Sequence, residues 1–276
     1  MPKVLYHVHI SVISCLFLAV MSFIILHSVA KVNLMLNIIG KRENGYHILE
    51  SVFQFLPQYF DVLKIDTSDT FNKNSAQICG VSEDQNSIIK AAHILKEKLM
   101  LKVPHVTLEK HMPICGGVGG GSSNSACFIN AVLDINGFST DAKLKLIDMF
   151  YELGADNKVF LYKYITNEDT LYLNGSGLDG LIQPINIDLS KHKTTLVFSN
   201  EKLSTKAVYA HFNESYKNEI GISNITIDTL KDFSNSLQKS AIELCPSIQE
   251  TLNKLKNQDP LFCGVSGSGP TCFAVI

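Results

Sequence analysis

The chain has 276 residues, 46% of them hydrophobic and 18% charged, a composition that can bury a core and excludes disorder, and a length that fits one large domain or two modest ones. Twenty-four Lys and Arg against 26 Asp and Glu leave a formal net charge of -2 with no basic run, so nucleic acid is not an expected partner. The seven cysteines are odd in number, scattered and free of any Cys-x-x-Cys pair, which points to reduced thiols in a cytoplasmic protein and away from a disulfide frame or zinc site.

No formal charge lies between Lys3 and Lys31, and Ile10 to Leu26 is almost purely apolar. Residues 1–20 read as an apolar extension ahead of a true start at Met21, with a membrane anchor or signal and a buried helix as the alternatives. Against an anchor stand the shortness of the run and the lack of a small-residue cleavage pattern, so a membrane is not the expected partner.

Beyond the extension, Val32, Leu34, Leu36 and Ile38 alternate with Asn33, Met35 and Asn37, the period of a strand with one buried face, expected over Val29 to Ile39. Asn44-Gly45 marks a turn, His47 to Leu56 a partner strand and Asp61 to Ile65 another, so the chain opens as a small antiparallel sheet. Ile88, Ile89, Ala92, Leu95 and Leu99 share one helical stripe within Asn86 to Met100, and Val106 to Lys110 is a short strand.

Pro113-Ile114-Cys115-Gly116-Gly117-Val118-Gly119-Gly120-Gly121-Ser122-Ser123 then runs into an expected helix, Ser125 to Ile135, which Asn136-Gly137 would stop. Strand, glycine loop and helix in that order suit a polyphosphate. Without Cβ atoms the backbone N–H groups can approach it, and the helix N-terminus adds partial positive charge. The Ser122 and Ser123 hydroxyls could bind a phosphate oxygen or its Mg²⁺. A flexible linker is the plainer reading, but it does not explain serines at a helix start. No Gly-x-x-x-x-Gly-Lys-Ser/Thr occurs, which excludes a P-loop; Gly175, Gly177 and Gly180 form a Gly-x-Gly-x-x-Gly followed by the extended, Pro184-containing Leu181 to Ile187, and read as a turn between strands.

Ser139-Thr140 can cap a helix through Leu153, closed by Gly154, before a strand near Val159 to Tyr162. Asp156 would then follow a helix end, where a carboxylate gains nothing from the dipole; a special use and a structural salt bridge stand as equal readings. Lys31 reads by default as a surface lysine. Asp188 to Ser199, a helix near Ser204 to Glu214 and helices through 226–256 follow, then a second small-residue loop, Ser266-Gly267-Ser268-Gly269, and a strand from Cys272 to Ile276.

Ala30-Lys31-Val32-Asn33-Leu34, the Pro113 to Ser123 loop and Val265 to Gly269 resemble, in order, the three motifs of the GHMP kinases. Gly45-Tyr46-His47, Ser51-x-Phe53-Gln54-Phe55-Leu56, Asn86 before its helix and Leu153-Gly154-Ala155-Asp156 are similar to marks of the diphosphocytidyl-methylerythritol kinase branch. The likeness covers roughly residues 22–276. It implies an α+β fold of two lobes, divided here as 21–186 and 187–276, with the active site in the cleft between them.

The same resemblance implies an ATP-dependent phosphotransferase using Mg²⁺ and a cytidine-diphosphate sugar-alcohol, as a monomer or homodimer. Asp156 matches the family's catalytic aspartate and Lys31 the lysine beside it. Asn86, Pro113 and Gly116 to Ser123 (Gly117, Val118, Gly119, Gly120, Gly121 and Ser122 between them) match the nucleotide-binding segments. Tyr46 and His47 match the cytidine-binding pair, with Asn33, Ser266, Gly267, Ser268 and Gly269 as further substrate contacts. The sequence departs from the pattern at Asn157-Lys158, where an apolar residue and Pro are usual and a positive charge is expected near the base. It departs also at Val29, at the long segment Lys163 to Asn174, and after Ile276, where relatives continue. A catalytically impaired GHMP-fold paralogue that binds nucleotide is the alternative expectation.

Overall fold

A hairpin much longer than its local patterns suggest organises the molecule. The computed structural model describes residues 23–276 except 75, 80, 176–178, 214 and 234; the expectations for residues 1–20 and for Met21 lie outside the described residues. Strand β1 (Phe23–Lys41) pairs antiparallel with β2 (His47–Thr70) around the expected turn, where Gly45 has φ 87°. Two strands were expected where β2 is one. The ladder absorbs residues 57–59 as a bulge, since Val29 pairs with Phe60 but Ala30 with Leu56.

β2 also pairs with β3 (Pro104–Glu109) and β4 (Thr170–Gly175), and β4 with β5 (Leu181–Pro184), all antiparallel. Residues 176–178 of the expected turn lie outside the described residues, but β4 and β5 on either side of it run antiparallel, as a turn between strands requires. A Cβ on Gly175, at φ 127°, would stand 2.6 Å from the Gly180 Cα, so the two strand ends approach too closely there for a side chain.

Helices α1 (Ser87–Glu97), α2 (Gly120–Ile135) and α4 (Ala155–Thr166) contribute Leu95, Phe128, Ile129 and Phe160 to one buried cluster shared with Phe53, Phe55, Leu63 and Ile65 of β2. α2 begins five residues before the expected Ser125, so the last glycines and both serines form its first turn. The helix expected from Ser139 to Leu153 is broken into α3 (Thr140–Leu146) and a 3₁₀ stretch, Ile147–Leu153.

The strand expected near Val159 to Tyr162 is the middle of α4. Its short apolar run carries no decisive period, and Gly154 at one end and the left-handed Asn167 at the other delimit a helix. Asp156 therefore lies in the first turn of a helix and not behind the end of one, and its carboxylate is favoured by the dipole there.

The remaining elements are β6 (Thr194–Val197), α5 (Thr205–His211), α6 (Ile227–Lys231), α7 (Gln238–Leu244), α8 (Ser247–Lys256), β7 (Phe262–Val265) and β8 (Cys272–Val275), with a second sheet in the order β6-β8-β7. Ala30, Val32 and Leu34 of β1 join Phe273 and Val275 of β8 in a buried cluster. Alternation then turns Lys31 and Asn33 towards a cavity beside that junction. The six cysteines among the described residues are free, and no described helix is long and apolar enough to cross a membrane.

Candidate active site

A cavity of about 610 Å³ is bounded by the glycine loop on one side and by Gly267, Ser268, Thr205 and Tyr209 on another, with Lys31, Asn33 and Asp156 also in its lining. Close packing of the two glycine-rich loops shapes it. Gly117 has φ 75°, and a Cβ there would lie 2.4 Å from the Ser266 carbonyl oxygen and 2.7 Å from that of Gly269. Ser266 Oγ donates to the Gly117 carbonyl at 3.1 Å, and the Thr271 N–H to that of Gly116 at 3.3 Å. Ser266 and Thr271 thus fasten one loop to the other outside the cavity lining, where Gly269 packs against Gly117, while Gly267 and Ser268 line the cavity.

Gly119, at φ 73°, precedes α2, and a Cβ there would meet the Phe160 ring at 2.5 Å. Only glycine fits. Ser122 and Gly121 line the cavity, but Ser123 turns inward: its Oγ donates to the Val29 carbonyl at 2.6 Å and shares a 2.7 Å hydrogen bond with the Tyr164 hydroxyl. Ser123 is buried and so unavailable to a phosphate, against its expected role. Val118 is buried too, and its carbonyl accepts from the Lys31 N–H at 3.1 Å, which ties the loop to β1.

Lys31 is no surface lysine; it is 3% exposed. Its Nζ lies 3.3 Å from Asp156 Oδ2 and donates to Asn33 Oδ1 at 2.7 Å and to the Gly117 carbonyl at 3.2 Å. Asn33 Nδ2 in turn donates to Ser51 Oγ at 2.9 Å, whose own proton goes to the Met35 carbonyl at 2.6 Å. Each group in this chain orients the next, so the ammonium is fixed beside a carboxylate that remains 40% exposed to the cavity.

The two departures after Asp156 leave this arrangement intact. Asn157 is fully buried and donates to Ser125 Oγ at 2.8 Å and the Ser122 carbonyl at 3.3 Å, joining α4 to α2. Lys158 was expected to place a charge near the base. Two residues on along a helix it projects from a different face, and its Nζ is 2.8 Å from Asp148 Oδ1.

Asn86 lines the cavity, but its side chain caps α1, accepting from the Ile88 and Ile89 N–H groups, and donates to the Ala76 carbonyl at 2.7 Å. It shapes the wall. Pro113 lines the cavity and packs where a Cβ on Gly116 would stand, 2.8 Å from its Cγ. Tyr46 and His47 lie outside the lining, and Tyr46 is 54% exposed. His47 nevertheless joins the site through Tyr209, its ring 5.2 Å away, with Phe212 edge-on at 5.8 Å. Burial, reinforced by Lys41, holds the His47 imidazole below its usual pKa. The neutral ring offers one N–H donor and one acceptor nitrogen.

Sequence reasoning missed Lys110 and Tyr209. Lys110 lines the cavity, its Nζ 2.5 Å from Asp61 Oδ2 and 3.0 Å from where a Gly120 Cβ would be. Asp61 is fully buried and also accepts from the His111 and Met112 N–H groups, each at 2.7 Å, so it anchors the approach to the glycine loop. The available signal was a lysine at a strand end just ahead of Pro113. For Tyr209 it was the i, i+4 spacing from Thr205, which puts both on one face of α5.

Residues 86–162 match the GHMP kinase N-terminal domain and residues 223–276 the GHMP kinase C-terminal domain. The chain is 31% identical over 264 residues to the 4-diphosphocytidyl-2-C-methyl-D-erythritol kinase of Parvibaculum lavamentivorans, covering 89% of this chain and 86% of that one. It is 31% identical over 253 residues to the enzyme of the same name from Nitrosomonas europaea, covering 89% and 85%. In fold it is similar to a crystal structure of 4-(cytidine 5'-diphospho)-2C-methyl-D-erythritol kinase, with a TM-score of 0.71 at 24% identity over 91% of this chain and 90% of that one. The matched domains, the identities over most of both lengths and the shared fold agree: the chain belongs to the 4-diphosphocytidyl-2-C-methyl-D-erythritol kinase family of the GHMP kinases.

Proposed function

We propose that this kinase transfers the γ-phosphoryl group of ATP to the 2-hydroxyl of 4-diphosphocytidyl-2-C-methyl-D-erythritol, in the cytoplasm, on the non-mevalonate route to isoprenoid precursors. The observation that carries this reading is the Lys31–Asp156 pair, 3.3 Å apart, beside the glycine loop. An alcohol is a poor nucleophile because its pKa is far above 7. Asp156 accepts its proton as the oxygen attacks, and the Lys31 ammonium stabilises the negative charge developing there. The O–H bond breaks towards Asp156, the oxygen bonds to the γ-phosphorus, and the bridging P–O bond breaks to leave ADP.

Phosphoryl transfer is loose, so positioning outweighs the base. The N–H groups of the glycine loop, the first turn of α2 and the Lys110 ammonium supply the polyphosphate side of the cavity. The groups that touch no ligand, Ser123, Val118, Asn86 and Asp61, hold those parts in place. Mg²⁺ arrives with ATP as part of that substrate, and the phosphates themselves provide most of its oxygens. The Ser122 hydroxyl, in the lining at the first turn of α2, would be an oxygen donor for it. Tyr209 and His47 serve the cytosine, Tyr209 by ring contact and the neutral His47 by reading a polar edge, with Tyr46 closing over the base from the exposed rim. Asn33, Gly267 and Ser268 hold the sugar-alcohol near Lys31.

Incubation of the purified chain with MgATP and the diphosphocytidyl substrate, followed by ³¹P NMR, tests this reading. A new phosphomonoester resonance with stoichiometric ADP is expected. ATP binding with no acceptor phosphorylation would overturn it.

A further inference from the structure

Lys31, Lys110 and Lys202 all line the cavity, and two of them are neutralised in place: Lys31 by Asp156 at 3.3 Å and Lys110 by Asp61 at 2.5 Å. Lys202 makes no ion pair with a described residue. Its neighbour Glu201 faces elsewhere, accepting from Cys245 Sγ at 3.4 Å, and hydrogen bonds from Ser247 and Cys245 hold that carboxyl below its usual pKa.

The backbone around Lys202 is fixed. Leu203 is buried in the cluster formed with α7 and α8, Ser204 caps α5 by accepting from the Ala207 N–H at 3.4 Å, and Thr205 Oγ1 shares a 2.9 Å hydrogen bond with Ser268 Oγ. Ser268 belongs to the loop that fastens the glycine loop. The segment thus presents an exposed ammonium, without an ion-pair partner among the described residues, at the edge of a cavity whose other wall suits polyphosphate, where it can reach and attract an anion.

We propose that Lys202 is a phosphate-binding residue of this site, contacting a non-bridging oxygen of either the transferred γ-phosphoryl group or the acceptor's diphosphate. The inference rests on the kinase reading above. It adds a cation from the C-terminal half of the chain to the N-terminal phosphate loop, so that phosphate is held from two sides.

The test is steady-state kinetics of Lys202→Met and Lys202→Arg with ATP and acceptor varied in turn, alongside thermal unfolding. Lys202→Met should lose about 10- to 100-fold in kcat/KM, the size of one hydrogen bond to a charged group, with an unchanged unfolding midpoint; Lys202→Arg should recover most of it. A raised KM for ATP or a reduced kcat assigns the contact to the γ-phosphoryl group. A raised KM for the acceptor alone assigns it to the diphosphate. Values within twofold of wild type for both substrates would overturn the proposal. If the wild-type chain turns over no acceptor, the kinase reading fails separately; calorimetric titration of ATP and of cytidine diphosphate then decides about Lys202, weaker binding by Lys202→Met supporting it and equal binding refuting it.

Discussion

At the reaction end of the cavity Lys31, Asn33 and Ser51 form an unbroken chain of hydrogen bonds, and the glycines at 117 and 119 leave no space for a Cβ. At the aromatic end Tyr46 is largely exposed, and His47 lies outside the lining and meets it through its ring contact with Tyr209, with Phe212 edge-on beside it. The difference follows from the interactions each end must make. Proton and phosphoryl transfer fail when groups are misplaced by about an ångström, so their supports are directional and buried. In the proposed reading the second end stacks on a base, which is tolerant of orientation, and its open rim would admit the acceptor. Substitutions of the Lys31 and Asp156 pair should therefore act mainly on kcat, those in the glycine loop on ATP binding, and those at the aromatic end on the acceptor KM.

The largest effect is expected at the base. Asp156→Asn keeps the shape but removes the basic oxygen, and turnover should fall by roughly 10²- to 10⁴-fold with ATP affinity nearly unchanged, as single-turnover kinetics and calorimetry would show. Lys31→Met should be similarly severe. Under the proposed assignment both serve one proton transfer, so the double variant should be far less than multiplicatively worse. Wild-type rates in either single variant would remove the comparison's first half.

Next in size is Gly120→Val. Its branched side chain would crowd the Lys110 ammonium and obstruct backbone approach, so the Kd for ATP should rise by roughly tenfold or more while the unfolding midpoint moves little. An unchanged Kd would take the glycine loop out of nucleotide binding.

How far these sites were legible depended on whether the signal was local. The glycine loop could be read because absent side chains between a strand and a helix have few other uses. Asp156 could not be placed, since Val159-Phe160-Leu161 is too short to show a period, and the helix is decided by the Gly154 and Asn167 ends. Ser123 looked like its neighbour Ser122; only the helix turn that aims it at the Val29 carbonyl separates them. Lys158 carried a real charge, but its partner Asp148 is a tertiary contact invisible to spacing. The long β2 was hidden because its bulge interrupts the alternation by which a strand is recognised.

At the aromatic end, Tyr209→Ala should raise the acceptor KM by about 10-fold, roughly the worth of one lost stacking contact, with the KM for ATP within twofold. A fall in kcat alone would show that the two ends are not separable.

Smaller is the pH effect of His47. Its folded pKa is depressed by burial and by Lys41, so the unfolded chain binds the proton more readily. Stability from this group is present above the unfolded pKa of about 6.5 and is lost as pH falls through the folded value. Denaturant titrations across the acid limb should show a shallower decline for His47→Gln than for wild type; parallel curves would contradict the half-buried neutral ring. Smallest of all is Lys158→Gln: with its charge engaged by Asp148, turnover should stay within twofold of wild type, and a clear rise would mean that the lysine does depress the base.

The central claim is that Asp156, held beside Lys31 at the mouth of the glycine loop, makes this chain an active kinase for a diphosphocytidyl alcohol. Its most direct measurement is rapid-quench single-turnover transfer from [γ-³²P]ATP to 4-diphosphocytidyl-2-C-methyl-D-erythritol by wild-type and Asp156→Asn protein at saturating substrates. The account predicts one labelled phosphate per acceptor from wild type, and a transfer step slowed by at least about 10²-fold in the variant at matched ATP occupancy. Equal transfer rates in the two proteins, or ATP occupancy without any transfer by wild type, would contradict it.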